Sequence, residues 1–115
     1  PKNDFVQAPV PVIKELSNSD RPYYQMAGAS FMGIYHEKVK GQPGKALNDY
    51  QKALRVGQEI PGHGTYYRTL AYLGLGRVYA KKGMKGQAEY NLRKVLESGE
   101  SEDLLSEARD LLDQL

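Results

Sequence analysis

The residues most able to do chemistry in this 115-residue chain are its two histidines, His36 and His63. A histidine works as a base or a metal ligand only in company, with an acid, a nucleophile or a second ligand at a fixed spacing. No Asp or Glu is spaced to join either ring as a metal pair, and no Ser-His-acid arrangement is visible. His36 falls at a helix-packing position, where a hydrogen-bonded, half-buried ring is the simpler expectation. His63 sits among glycines in a loop. Gly41-Gln42-Pro43-Gly44-Lys45 has a phosphate loop's outline but not its spacing. The loop needs four residues between its glycines and Ser or Thr after the Lys, whereas Ala46 follows here and no strand precedes. Gly74 and Gly76 lie within a helical pattern, so close helix packing explains them better than a dinucleotide turn. The chain has no cysteine, which excludes disulfides and thiolate metal sites. The expectation is a non-enzyme with no catalytic residue, no metal and no cofactor.

Charge is informative through its placement. The net charge is +2, too small to argue for nucleic acid. Residues 1–96 hold 15 Lys or Arg and 7 Asp or Glu, net +8, whereas residues 97–115 hold 1 and 7, net −6. A basic body therefore carries an acidic last segment. Lys81, Lys82 and Lys85 form a basic knot. It reads as ordinary solvation at a helix C-terminus, or as a site for an acidic peptide, or as the counterpart of that last segment. No aromatic–basic interleaving follows one helix face, so nucleic acid is not the expected partner. No apolar run approaches the ~20 residues a membrane span needs. Pro1 in place of Met reads as a cut or processed start, and the compartment, cytoplasm or bacterial periplasm, stays open.

The elements that would position these groups are all helical. Residues 1–11 are polar and proline-rich and read as extended or disordered. Val10, Val12, Ile13 and Leu16 predict a short helix with Pro11 in its first turn. Asp20 is the expected N-cap of the next one. From Arg21 to about Lys40, Tyr24, Ala27, Gly28, Phe31 and Tyr35 share one helical face. A second helix from Pro43 to near Gly57 buries Ala46, Leu47, Tyr50, Ala53 and Leu54. After the breaker Pro61-Gly62-His63-Gly64, helices are predicted over 65–82 and 85–98. Ser101 is the expected cap of a last helix carrying Leu104, Leu105, Ala108, Leu111, Leu112 and Leu115 on one side.

The chain also repeats itself. Tyr23, Tyr24, Met32, Gly33 and Lys38 match Tyr66, Tyr67, Leu75, Gly76 and Lys81 at an offset of 43. Gly41, Gly44, Ala46, Lys52, Leu54 and Gly57 match Gly83, Gly86, Ala88, Lys94, Leu96 and Gly99 at 42. Copy one thus holds one extra residue between Lys38 and Gly41.

In the second copy, Leu75-Gly76, Tyr79, Gly83, Ala88 and Leu92 fall at the defining positions of a helical hairpin that resembles the tetratricopeptide repeat. Gly76 and Ala88 are small where the two helices cross, and Gly83 turns the chain at a helix C-terminus. Copy one departs at His36, where Tyr is expected, and at Ala29. The copies are also further apart than the usual 34 residues, the excess lying in residues 58–65.

The resemblance implies an all-α, right-handed superhelical stack of antiparallel hairpins. An N-terminal segment (1–20) with a half-repeat helix precedes repeats at 21–58 and 65–102, and an acidic capping helix closes the stack at 103–115. It implies a non-catalytic scaffold that binds another protein, as a peptide or helix, in a concave groove. By position that groove is lined by Ala27, Ser30, Ile34 and Glu37, then Leu70, Leu73, Arg77, Ala80 and Lys81. The Lys/Asn/Arg clamp with which some members hold chaperone C-termini is absent, since Ser30, Ile34, Leu73 and Arg77 occupy its places. Arg77 and Lys81 suit an acidic peptide, and Tyr23, Tyr66 and Tyr67 are a further candidate binding face. The alternatives are self-association as a homodimer, favoured by the +8/−6 split, or a role as the adaptor part of a larger multidomain protein.

Overall fold

A computed structural model describes residues 10–115, and among them only helices and turns occur. The helices are α1 (Val10–Ser17), α2 (Pro22–Ile34), α3 (Pro43–Gly57), α4 (Thr65–Lys81), α5 (Lys85–Ser98) and α6 (Glu102–Gln114). Each packs on its sequence neighbour, and the first helices of the two hairpins, α2 and α4, also pack on each other. α6 lies against both α4 and α5. This is the consecutive stacking of a superhelix of antiparallel hairpins, in which each unit buries its apolar face only against its neighbours.

Local rules explain most boundaries. Pro22 and Pro43 open α2 and α3, where the missing N–H costs nothing and φ is already helical. Asp20 is not the cap of α2. Arg21 stands there in extended conformation (φ −93°, ψ 120°), as the residue before proline is driven to be. Its N–H bonds Ser19 Oγ at 3.1 Å instead. Ser101 precedes α6 but its hydroxyl makes no capping bond, and Glu102 and Asp103 supply the negative charge that favours a first turn. Val10 and Pro11 begin α1 rather than continuing an extended stretch. The rest of that stretch, residues 1–9, lies outside the described residues.

The extra residue of copy one is absorbed inside the helix. After Ile34 the chain widens into a π turn, Tyr35–Val39, closed by Lys40 N–H to Tyr35 C=O at 3.1 Å. The following cap bond spans six residues, Gln42 N–H to His36 C=O at 2.8 Å. Copy two makes the corresponding bond over five, Met84 N–H to Tyr79 C=O at 2.9 Å, a Schellman closure with Gly83 at φ 77°. The residue expected between Lys38 and Gly41 is thus taken up where this widened turn ends, at Val39. A π turn keeps the backbone bonded while adding a residue.

Two apolar clusters fill the stack. The larger holds Met26, Ala29, Ile34, Ala46, Tyr50, Ala53, Val56, Leu70, Ala71 and Leu75. The smaller holds Leu73, Leu92, Val95 and Ala108, joining α4, α5 and α6. In copy two the Gly76–Ala88 crossing is tight. A Cβ on Gly76 would overlap Leu92, and Ala88 is fully buried.

Candidate functional site

The candidate groove residues converge, but mostly on one another. α2 and α4 run side by side and parallel. Ser30 Oγ in α2 donates to the Tyr67 carbonyl in the first turn of α4 at 2.9 Å, and Glu37, in the π turn after α2, meets Arg77 in the second half of α4. Ala27, Ser30, Ile34, Leu70 and Leu73 are all buried, and Ala80 is half-buried. Five expected lining residues thus lie inside the packed molecule. Ser30 and Glu37 bond residues of α4, Ile34 and Leu70 share the larger apolar cluster, and Leu73 and Arg77 reach the capping helix. With so few repeats, the positions that would floor an open groove are consumed by the contacts between successive first helices. Of the nine expected groove positions, Lys81 alone is fully exposed to solvent.

Glu37 and Arg77 form the polar centre of this seam. Arg77 Nε and Nη2 donate to Glu37 Oε2 and Oε1 at 2.9 and 3.1 Å, a two-pronged pairing. Arg77 Nη1 reaches Glu107 Oε2 of α6 at 2.7 Å. The Tyr50 hydroxyl donates to Glu37 Oε1 at 2.7 Å. The Glu37 side chain is only 5% exposed and that of Arg77 11%, so this ion pair is largely withdrawn from water. Burial acts to raise the Glu37 carboxyl. The bonds and charge of Arg77, with the Tyr50 hydroxyl, outweigh it and hold the group below the usual carboxylate range. Burial also disfavours the Arg77 cation, and Glu37 more than offsets that, so the guanidinium is held charged. Tyr50 is pushed up, first by burial and then by the Glu37 charge. Its ring is clasped between Gly33 and Gly74, where a Cβ at either position would overlap it.

His36 also has a partner, with Nδ1 2.5 Å from Asp49 Oδ2 across the α2–α3 hairpin. Burial raises the Asp49 carboxyl, and the His36 bond opposes it without cancelling it. Among the described residues no three His, Asp or Glu side chains gather as metal ligands would. Both the Tyr50 hydroxyl and the His36 ring are engaged in packing contacts of the first hairpin.

At the other end of α2 and α4 lies an aromatic array. Tyr23 stacks edge-on against Tyr24 and Tyr67, with centroids 5.9 and 5.6 Å apart. Tyr67 in turn meets Phe31 and Tyr66, each at 5.6 Å. Arg21 sits over the Tyr24 ring at 6.0 Å. Tyr23 and Tyr24 remain 44% exposed. Of these rings the sequence singles out Tyr23, Tyr66 and Tyr67 as a binding face, and the array adds Tyr24, which the helical period places on the face of Ala27 and Phe31. A separate cleft of about 430 Å³ is bordered by Gly57, Pro61, Arg68, Tyr72 and Tyr90. The long 58–64 connection runs along it, held by Arg68 Nη2 donating to the Gly57 and His63 carbonyls at 3.0 and 3.2 Å.

Sequence reasoning placed Glu37 and Arg77 on the groove without seeing that they pair. A signal was present. Arg77 stands where copy one has Ile34, and a cation at an apolar seam position needs a buried counter-ion one helix away. Compared with known proteins, residues 25–101 match a family model described as tetratricopeptide repeat. No curated protein and no solved structure matches the chain significantly.

Proposed function

The chain belongs to the tetratricopeptide repeat family, and from that premise we propose that it is a non-catalytic module that binds a partner protein on the face made by α2 and α4. Members of the family generally act as protein–protein interaction scaffolds. No helix among the described residues is long and apolar enough to cross a membrane. The observation that carries the reading is the array of Tyr23, Tyr24, Tyr66, Tyr67 and Phe31. Rings fixed edge-to-face lose little freedom on binding, and two are left substantially exposed. Those are the properties of aromatic anchors at interfaces. The candidate groove positions enter as the support beneath. Ala27, Ser30, Ile34, Leu70 and Leu73 hold the two helices in register, the Glu37–Arg77 pair closes the far end, and Lys81 offers a cation there. A peptide or short helix with apolar anchors and an acidic end suits that face.

A display library of random peptides selected on the full chain tests this, with the Tyr23→Ser/Tyr24→Ser chain as the comparison. Peptides are expected to enrich on the wild type and to bind the variant at least tenfold more weakly, each aromatic anchor contributing 1 kcal/mol or more. Enrichment of peptides that bind both chains equally rejects this face.

A second reading is a homodimer, favoured by the acidic outer side of α6, where Asp110 and Asp113 are exposed. Sedimentation at two salt concentrations checks it. A concentration-dependent dimer weakened by salt supports this reading, and a monomer throughout rejects it.

A further inference from the structure

The two turns that close the hairpins leave the molecule at the same end. α2 and α4 lie parallel, with Tyr23 beside Tyr67 at one end and Glu37 bonded to Arg77 near the other. The turns that follow them, residues 38–45 and 81–86, are therefore neighbours on one edge. Both project into solvent, for a Cβ built on Gly41, Gly44, Gly83 or Gly86 meets nothing within 4 Å.

This edge carries six exposed lysines, three per turn: Lys38, Lys40 and Lys45, then Lys81, Lys82 and Lys85. No carboxylate among the described residues comes within ion-pair distance of any of them. Glu37, the nearest acid in sequence, is committed to Arg77 and Tyr50. Four of the lysines lie at or just after a helical C-terminus, where a cation is mildly favoured. Lys45 and Lys85 instead lie in the first turns of α3 and α5, which hold no acidic residue. There the helix dipole opposes a cation, although Lys45 also acts at a distance on Asp49, as Lys38 does on Glu37. Between the lysines stand two exposed aliphatic side chains, Val39 (55%) and Met84 (41%), one on each turn. Among the described residues, no strongly exposed aromatic ring lies in either turn to stack on a base.

We propose that this edge docks the protein on an anionic lipid surface, with the lysines meeting the headgroups and Val39 and Met84 entering the interface between headgroups and acyl chains. Paired apolar tips ringed by cations fit a bilayer surface, which is flat, anionic and apolar just below. A soluble polyanion gives the aliphatic tips nothing to enter. The aromatic array lies toward the opposite end of α2 and α4 and only Lys81 is shared with the proposed peptide face, so the Tyr23/Tyr24 and Val39/Met84 variants each test one face with the other intact.

The experiment is co-sedimentation of the full chain with vesicles of phosphatidylcholine alone and of phosphatidylcholine mixed with phosphatidylserine. Binding is expected only to the mixed vesicles and should weaken as salt rises. A lysine at an anionic surface contributes about fivefold, so Lys38→Gln/Lys81→Gln/Lys85→Gln should lose on the order of a hundredfold. Val39→Ser/Met84→Ser, which leaves every charge in place, should lose about tenfold. Tyr23→Ser/Tyr24→Ser should bind vesicles as the wild type does. All the substituted side chains are exposed, and an unchanged circular dichroism melt confirms that the variants fold. Absence of binding to mixed vesicles at low salt overturns the proposal. So does equal binding by the Val39/Met84 variant, and so does tighter binding to duplex RNA or a polyglutamate peptide than to vesicles. Either of those last two results would reassign the edge to a soluble polyanion.

Discussion

The two hairpins solve one packing problem in two ways. Gly33 and Gly76 occupy equivalent places on the first helices, and each makes a notch for a side chain of the second helix. In copy two the notch holds Leu92, which needs nothing further. In copy one the equivalent residue is Tyr50, whose ring fills the notch and also presses on Gly74 of the next hairpin. A buried hydroxyl without a partner costs roughly 1–3 kcal/mol, and Glu37 supplies that partner. A buried carboxylate in turn needs a cation, and Arg77 supplies it from α4. Copy two has Ala80 where copy one has Glu37. One exchange, Leu for Tyr, thus accompanies a polar chain that ties both hairpins to the capping helix through Glu107. An apolar notch stabilises its own hairpin, whereas a tyrosine in the notch makes one hairpin depend on the next.

Breaking that chain should give the largest effect. Arg77→Leu leaves Glu37 buried without its cation and is expected to cost about 3–5 kcal/mol in urea unfolding. Glu37→Leu/Arg77→Leu/Tyr50→Phe removes the whole set and should recover most of that loss. A cost under about 1 kcal/mol for Arg77→Leu would mean that the pair is not the tie between hairpins. Acid sharpens the same point. The Glu37 carboxyl titrates lower folded than unfolded, so its contribution is complete above the usual carboxylate range and vanishes as pH falls through the folded value. Asp49, held high in the fold, has the opposite sign: its penalty is relieved as pH falls. Stability measured downward from neutral pH should therefore fall less steeply in the triple variant than in the wild type. Equal slopes would place the acid sensitivity elsewhere.

The glycines give the next effect and a direct contrast between copies. Gly33→Ala drives a methyl into a Tyr50 ring clasped from both sides, and should cost about 1–3 kcal/mol. Gly76→Ala drives a methyl against Cγ and Cδ2 of the fully buried Leu92, which must shift, and gains up to about 1 kcal/mol of helix propensity in return. It should still destabilise in a thermal melt, but by less than Gly33→Ala, since a single leucine end can rotate where a ring clasped from both sides cannot. Equal costs for the two substitutions would show that the notches are mechanically alike.

Much of this frame was legible in the sequence because it rests on local rules. Pro22 and Pro43 mark helix starts, Gly83 marks a turn, and the 3.6-residue period marks the buried faces. The offset of 42 to 43 residues exposed the two copies and the extra residue. What stayed hidden was pairing at long range. Glu37 and Arg77 are 40 residues apart, and no periodicity says that two charged groups on parallel helices will be bonded inside rather than displayed outside. The same gap concealed the aromatic array. Tyr24 lies on the face shared with Ala27 and Phe31, and only the docking of α4 shows that its ring stays partly open beside Tyr23 and Tyr67. The repeat pattern specifies which helices meet, while individual side chains decide whether a meeting place is a surface or a seam.

The π turn offers the finest division between the copies, because it separates an absorbed residue from a working one. The alignment places the surplus after Lys38, and Val39 is 55% exposed. Deleting Val39 should therefore return the end of α2 to α-helical spacing while leaving His36 and Glu37 in register with Asp49, Tyr50 and Arg77. The expected change is small, within about 1 kcal/mol, since one i→i+5 bond is exchanged for an i→i+4 bond of similar worth. Deleting Tyr35 removes a residue from the same turn but rotates everything after it by about 100°, carrying Glu37 off Arg77. That loss should approach the cost of Arg77→Leu. A thermal melt of the two deletions decides the matter. If both are mild, the register of Glu37 does not matter to the stack. If both are severe, the wide turn itself is needed, and its extra residue is part of what brings the carboxylate inward.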